Sequence, residues 1–271
     1  MSQPNWGAVS KLYSYNRSMN EIFSLFSPNI LMLIAITATV SGMIKGIVGF
    51  GMPMIFITSM TIFIDPNMAL GILILPTLIA NAWQAGRQGA YAALETLYNQ
   101  RWFLGLTCLV LLITTQMVQL LSQTIFFLCL GVLVVIFASL MLSGWQPKGN
   151  NKQILSICCA IAAGLGGGLS GVWGPPTVMY LSKQNLEKQE QVRAQGVIYG
   201  LSALLLLLGH SKSGIVTGPF LALGTFAILP ACVGIWIGFS IQDKINQRVF
   251  RITTLIILMM AGLNLIRRGF M

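Results

Sequence analysis

The chain has 271 residues, of which 55% are hydrophobic and 8% are charged, and its mean hydropathy is +0.79. The polar residues are too few to cover the surface of a water-soluble protein of this size. The composition therefore predicts an all-α, polytopic membrane protein with the lipid bilayer as its main partner. The formal charge of +10 does not indicate nucleic-acid binding, because the 16 Lys and Arg residues are scattered between apolar runs.

Residues 1–27 are polar, and their spaced apolar side chains predict an amphipathic helix on the membrane surface. The first long apolar run begins near Pro28, too late and too long for a cleaved signal peptide, so we expect a retained membrane helix. The lack of a targeting sequence favours a bacterial inner (cell) membrane.

Two series of five apolar runs follow, separated by a polar, turn-rich linker at 144–153. The first series comprises residues 28–49, 53–64, 68–86, 101–120 and 123–143. The second comprises residues 154–173, 176–182, 193–210, 219–241 and 248–266. We therefore expect a first transmembrane repeat at 28–143 and a second at 154–271. At about 20 residues per span, the length allows roughly eight to ten transmembrane segments.

An internal repeat supports this division. The spacing GxxxGxxG occurs twice, 125 positions apart, at Gly42, Gly46 and Gly49 and at Gly167, Gly171 and Gly174. The same shift aligns Gly71 with Gly196 without a gap. Two related halves with a short segment at matching positions are typical of secondary transporters. If all five segments of each half cross the membrane the repeats are inverted, which we expect; if the short segments do not cross separately, they are parallel.

The repeated motif also predicts broken helices. GIVGFGMP (46–53) and GVWGPP (171–176) place glycine and proline where one apolar run ends and a short one begins. The first turn of the helix after a break has unpaired N–H groups and a partial positive charge, so two such breaks form a candidate anion site. For Gly42 and Gly46, close GxxxG packing between helices is an alternative explanation.

Lys45 is the most informative single residue, because it lies in an otherwise uncharged run from Pro28 to Ile64. Burying a lone cation in hydrocarbon costs roughly 3 kcal/mol or more, so a partner must compensate it. No apolar segment contains a carboxylate, which makes a substrate anion a candidate partner. Snorkelling of the amine to a nearby interface is the alternative.

Four further residues could contact the same anion. Arg193 has the planar fork that suits an oxyanion, although it also fits a headgroup contact. The amides of Asn81 and Gln84 could hydrogen-bond an oxyanion. Trp173, inside the second break, either walls a cavity or fills space. The candidate substrate-binding residues are Lys45, Gly49, Gly51, Pro53, Asn81, Gln84, Trp173, Gly174, Pro175, Pro176 and Arg193.

These motifs carry a resemblance to a known family. VSGMIKGIVGFGMPMI, NAWQ, AAGLGGGLSGVWGPPTVMYLSK and VRAQGVIYG together resemble the TauE/SafE family of sulfite exporters, also called the 4-toluene sulfonate uptake permease family. The likeness is to the branch with KGxxGFGxP in the first repeat and GPP in the second, and it spans about residues 28–266. It implies a two-repeat permease for sulfur-containing anions such as sulfite, thiosulfate or sulfonates. Lys45, Asn81, Gln84 and Arg193 match positions of that branch, whereas Trp173 replaces a small or aliphatic residue.

The expected function is therefore secondary transport of a small anion by alternating access, with no enzyme activity, cofactor or metal. The five cysteines lack CxxC spacing, and no HExxH, GxSxG or Walker-type motif occurs. A carrier of a carboxylate or another non-sulfur anion, and a non-transporting membrane scaffold, remain alternatives. A homo-oligomer is compatible with the sequence.

Overall fold

The computed structural model describes residues 27–117, 122–144, 152–184, 186–212, 218–242 and 246–270. Within these ranges the chain forms eleven α-helices and no strand. The helices are α1 (Pro28–Val48), α2 (Met52–Met60), α3 (Pro66–Gly86), α4 (Ala90–Asn99), α5 (Arg101–Met117), α6 (Gln123–Leu142), α7 (Lys152–Ser170), α8 (Gly174–Leu181), α9 (Lys188–Lys212), α10 (Gly218–Gln242) and α11 (Gln247–Gly269). The surface helix predicted for residues 1–27 lies outside the described residues, apart from Ser27.

Ten of these helices correspond to the ten predicted apolar runs, and α4 was missed. Helix α4 is short and amphipathic, and it leaves Tyr91 and Tyr98 exposed, so it gives no long apolar signal. Helix α9 begins at Lys188 instead of 193, because the polar residues before Arg193 continue the helix. The predicted linker is described only at its ends, since residues 145–151 lie outside the described ranges.

The architecture is that of a multi-pass helical membrane protein, as composition predicts. Helices α1, α3, α6, α7, α9 and α10 are long and apolar enough to cross a membrane, and α5 is a shorter apolar helix. Large apolar side chains such as Leu229, Trp236 and Met260 are exposed on the long helices, where lipid can cover them. The short helices α2 and α8 are almost entirely buried in protein.

Helix contacts recur when the two series are exchanged. Helix α1 packs on α10, and its counterpart α7 packs on α5. Helix α3 packs on α10 as α9 packs on α5, and α2 meets α11 as α8 meets α6. Two further contacts join counterparts directly, α3 with α9 and α6 with α11. The packing therefore has the approximate twofold pattern that two related halves predict.

The counterpart helices run in opposite directions. Along the α3–α9 contact, Gly200 lies beside Asn81 and Gly196 lies beside Ala85, so numbering rises in one helix as it falls in the other. In α6 and α11, Gly262 lies beside Gly131 while Gly269 lies beside Thr124. Antiparallel counterparts are what inverted repeats predict, whereas parallel repeats would leave them running the same way.

The register locates the approximate twofold axis. Extending the α3–α9 pairing by one turn places Leu78 opposite Ala203, which are equivalent positions in the repeat. The axis therefore crosses the α3–α9 contact near these two residues. In an inverted repeat such an axis lies in the membrane plane, so its neighbourhood marks the middle of the molecule.

Both predicted helix breaks are present, and they meet. Gly49 and Gly51 have φ of 86° and 95°, conformations that favour glycine, and they separate α1 from α2. Gly171, with φ of 71°, begins the break between α7 and α8. A Cβ at Gly174 would lie 3.2 Å from the Phe50 ring, and one at Gly171 would lie 3.6 Å from Pro53. The two breaks thus contact each other.

Candidate functional site

The first two glycines of the repeated motif serve helix packing. A Cβ at Gly42 would collide with the backbone of Ala231, and one at Gly46 would come within 2.9 Å of the Cα of Gly238. Both partners belong to α10, which therefore approaches α1 closely. The alternative explanation, GxxxG packing, is right for Gly42 and Gly46, and the candidate site lies further along the motif.

Lys45 lies in the last turn of α1 and points into the protein. It is 3% exposed, so its amine does not snorkel to an interface. Its Nζ donates a hydrogen bond of 2.5 Å to Oδ1 of Asn81 and lies 5.4 Å from the centre of the Tyr199 ring. Among the described residues no carboxylate forms an ion pair with it. A buried cation is thus held by one amide and one aromatic face.

The space beside Lys45 is small and lies between the two breaks. This inner cavity has a volume of about 10 Å³, roughly enough for one water molecule. Its lining includes six of the predicted residues, namely Lys45, Gly51, Pro53, Asn81, Trp173 and Gly174. Pro175 and Pro176 are buried in the first turn of α8, just behind it. The structure therefore brings together most of the predicted site.

Trp173 walls this cavity. Its side chain is 1% exposed and packs on Tyr199, with ring centres 6.2 Å apart. A Cβ at Gly167 would come within 2.9 Å of the indole, so the ring fills the space that a larger residue at 167 would need. The Tyr199 hydroxyl donates to the carbonyl of Gly174 at 3.2 Å, which ties α9 to the second break.

The two breaks do not offer equal numbers of donors. In the first turn of α2, Met52 and Met54 have N–H groups that precede the first intrahelical bond, which Ile55 makes to Gly51. In α8 the equivalent turn offers Gly174 alone, because prolines have no N–H. An anion between the breaks would thus find more backbone donors on the Lys45 side.

Gln84 and Arg193 lie outside the inner cavity, in a separate and larger one. This vestibule has a volume of about 300 Å³ and is lined by Gln84, Arg87, Gln88, Gln189, Val192, Arg193 and Gln242. The Arg193 guanidinium is already engaged: Nη1 donates to Gln88, Nε donates to Thr96 at 2.8 Å, and Nη2 lies 3.7 Å from a Glu190 oxygen. Arg193 therefore joins α9 to α4 and does not reach Lys45.

Gln84 lines the vestibule and also contacts the first break. Its Nε2 donates to the carbonyl of Gly49 at 3.2 Å and to the carbonyl of Val192 at 2.8 Å. One acceptor belongs to the first break and the other to α9, so the amide links the two halves. Gly49 lies about one helical turn beyond Lys45, and Gln84 lies about one turn beyond Asn81. Both are therefore about 5 Å further from the inner cavity.

Three residues on α9 that face this region were not predicted from the sequence. Tyr199 lines the inner cavity, and the side-chain oxygen of Gln195 lies where a Cβ of Gly49 would be. Ser202 is fully buried and its hydroxyl has no hydrogen-bond partner in the described part of the chain. The spacing 195, 199, 202 places all three on one helical face and repeats that of Thr77, Asn81 and Gln84 on α3, a signal that sequence periodicity could have revealed.

Among the described residues, those that line the inner cavity carry groups that can bind an anion. Those residues contain no group of three His, Cys, Asp or Glu side chains that could hold a metal ion. The five cysteines are free; Cys129 and Cys158 are exposed, as apolar residues on lipid-facing surfaces can be. The inner cavity instead presents one ammonium, backbone N–H groups and aromatic walls.

Comparisons with known proteins agree with the fold and the motifs. A family model, Sulfite exporter TauE/SafE, matches residues 34–265 and so covers all eleven helices except the ends of α1 and α11. Searches of curated proteins and of solved structures gave no match. Proteins of the matched family are membrane transporters rather than enzymes. Since the match spans both halves and both breaks, the chain belongs to the TauE/SafE sulfite exporter family.

Proposed function

We propose that this protein is a secondary transporter of a small anion, with a sulfur-containing oxyanion or organosulfonate as its substrate. The anion binds between the two helix breaks, against the Lys45 ammonium and the N–H groups of Met52, Met54 and Gly174. Because the inner cavity has a volume of only about 10 Å³, the two breaks move apart when the anion binds. Transport proceeds by alternating access around this site. The family membership supports the class of protein, and the residues at the breaks support the charge of the substrate.

The observation that carries the proposal is the buried, uncompensated charge of Lys45. An ammonium at 3% exposure loses most of its hydration, and one hydrogen bond to the neutral amide of Asn81 replaces only part of it. An anion placed beside Nζ would supply the missing opposite charge in a medium of low dielectric constant, where the attraction is strong.

The position of the site fits alternating access. The approximate twofold axis passes near Leu78, and Asn81 lies three residues further along α3. The rise of an α-helix puts Asn81 about 4.5 Å from the axis. A site near an in-plane axis is close to the middle of the membrane, so a modest motion of one half against the other can expose it to either side.

Flux into proteoliposomes tests the proposal. The panel comprises sulfite, thiosulfate, 4-toluene sulfonate and a carboxylate such as lactate, measured for the wild type, Lys45→Ala and Lys183→Ala. Lys183 is a half-buried lysine just after α8 and outside both cavities, which makes it the matched control. We expect flux of a sulfur anion in the wild type and the control and none in Lys45→Ala.

Each other outcome is informative. Undiminished flux in correctly inserted Lys45→Ala protein would remove Lys45 from the site. Flux of lactate alone would replace the sulfur anion by a carboxylate. Absence of flux for every anion in the wild type would favour a scaffold role.

A further inference from the structure

The vestibule is a polar cavity with an excess of positive charge. Of the residues that the structure describes, seven line it; four are glutamines, two are arginines, and none of the seven is a carboxylate. Its volume of about 300 Å³ is large enough for an oxyanion that carries an organic group. It lies at the ends of α3 and α10 and beside the early turns of α9, directly outside Gln84.

The two arginines of the vestibule differ in how far their charge is compensated. Arg193 lies 3.7 Å from Glu190 and uses two other donor groups on Gln88 and Thr96. Arg87 is exposed, and its guanidinium lies over the Phe239 ring at 3.9 Å. Across the part of the chain that the structure describes, no carboxylate pairs with Arg87. The net charge of the cavity therefore comes mainly from Arg87.

Stacking fixes Arg87 without consuming its donors. A ring on one face of a guanidinium attracts the cation but leaves the N–H groups along its edge free, because these point in the guanidinium plane. That edge matches two oxygens of a sulfonate, sulfite or thiosulfate group.

We propose that the vestibule is a second, outer anion site, in which Arg87 captures an oxyanion before it passes Gln84 to reach Lys45. This inference rests on the proposed function, since the captured anion is the substrate itself. The outer site has a volume of about 300 Å³ and contains the exposed Arg87, whereas the inner cavity has about 10 Å³, so the first binds the anion from solution and the second selects it. The ligand class is a singly or doubly charged oxyanion.

Equilibrium binding of radiolabelled thiosulfate to purified protein tests the outer site without requiring transport. The Lys45→Ala background removes the inner site, and Arg87→Gln is compared with Arg101→Gln in that background. Arg101 is the matched control because it is also exposed and stacked on a ring, 4.2 Å from that of Tyr98, but lies outside the vestibule.

We expect Lys45→Ala protein to retain thiosulfate binding that weakens as ionic strength rises, since an exposed charge is screened by salt. Adding Arg87→Gln should weaken that binding roughly three- to tenfold, and adding Arg101→Gln should leave it unchanged. Arg87→Lys keeps the charge and should keep the salt dependence, which guards against a loss caused by misfolding.

Two results would overturn the proposal of an outer site. One is the absence of thiosulfate binding by folded Lys45→Ala protein. The other is equal binding by the two double variants, Lys45→Ala with Arg87→Gln and Lys45→Ala with Arg101→Gln. Loss of salt dependence in Arg87→Lys would also count against it. Failure of the proposed function looks different, because wild-type proteoliposomes would then carry no anion whether or not the vestibule binds thiosulfate.

Discussion

The two sides of the twofold axis have the same backbone arrangement but different side chains. On one side, α3 and α9 place Asn81 beside Tyr199 around Lys45, and Gln84 beside Gln195 around Gly49. On the other side, the positions 125 residues away are apolar or small. Asn81 and Gln84 correspond to Leu206 and Gly209, and Tyr199 and Gln195 correspond to Ile74 and Leu70.

The packing of the two sides differs accordingly. The polar side opens into the vestibule at Gln84. On the apolar side a Cβ at Gly209 would lie 3.0 Å from that of Thr115, and Gln116 donates to the Gly209 carbonyl at 3.4 Å. The two related sides therefore diverge through their side chains: one holds a polar cavity, and the other is closely packed at Gly209.

The breaks show the same divergence. Lys45 corresponds to Ser170, whose hydroxyl bonds within its own helix to Gly166 at 2.9 Å. Trp173 corresponds to Val48. The first break therefore supplies the charge and the second supplies an indole ring to the same cavity, so a single anion site can form from two unlike halves.

The largest effect is expected when Asn81 is replaced by leucine, the residue at the equivalent position 206 of the apolar side. Asn81→Leu removes the hydrogen-bond acceptor of a buried cation and should cost about 3–5 kcal/mol of coupled binding and folding free energy. We expect anion flux to fall at least about 100-fold. Leu206→Met, a volume-conserving change at the equivalent position, should cost less than about 1.5 kcal/mol. Normal flux in Asn81→Leu would show that the polar pairing is dispensable.

A smaller loss is expected at the first break. Gly49→Ala forces alanine into a φ of 86° and drives its Cβ into the Gln195 side chain, so stability should fall by about 1–3 kcal/mol. Gly86→Ala is the control, because a Cβ there meets nothing within 4 Å in a helical turn and should be neutral or slightly stabilising. Thermal unfolding in detergent measures both. Equal melting temperatures would mean that the break tolerates a side chain.

The smallest effect is expected where Gln84 joins the halves. Gln84→Leu removes the hydrogen bonds to Gly49 and Val192, each worth about 0.5–1.5 kcal/mol, but also removes a buried amide oxygen that has no partner among the described groups. We expect a net loss of about 1 kcal/mol by thermal unfolding. Gln153→Leu, at an exposed glutamine of α7, should change nothing. A loss as large as that of Asn81→Leu would contradict the order of effects.

Much of this organisation was predictable from the sequence. Composition predicted the helical membrane class, the repeated GxxxGxxG predicted the breaks, and the isolated charge of Lys45 predicted a buried cation beside them. These features are local, because glycine, proline and charge in an apolar run have strong effects whatever surrounds them.

The unpredicted features depend on packing between distant segments. Arg193 was expected to bind the substrate anion, and the packing of α9 against α4 places its guanidinium on Thr96 and Gln88, outside the inner cavity. Tyr199 lies beside Lys45 because α9 packs against α3, and the spacing of residues 195, 199 and 202 indicates a shared helical face but not the element that this face contacts. Helix α4 was missed because a short amphipathic helix owes its stability to the surface on which it packs, and its own sequence gives only a weak signal.

The most direct test of the central claim is to locate the anion itself. An experimental structure determined with selenite, a heavier analogue of sulfite, would reveal the selenium by its anomalous signal. We predict a peak between the two breaks, with an oxygen within about 3 Å of Lys45 Nζ and close to the N–H groups of Met52 and Gly174. A structure of sulfite-transporting protein in which no selenite lies between the breaks would contradict the proposed anion site.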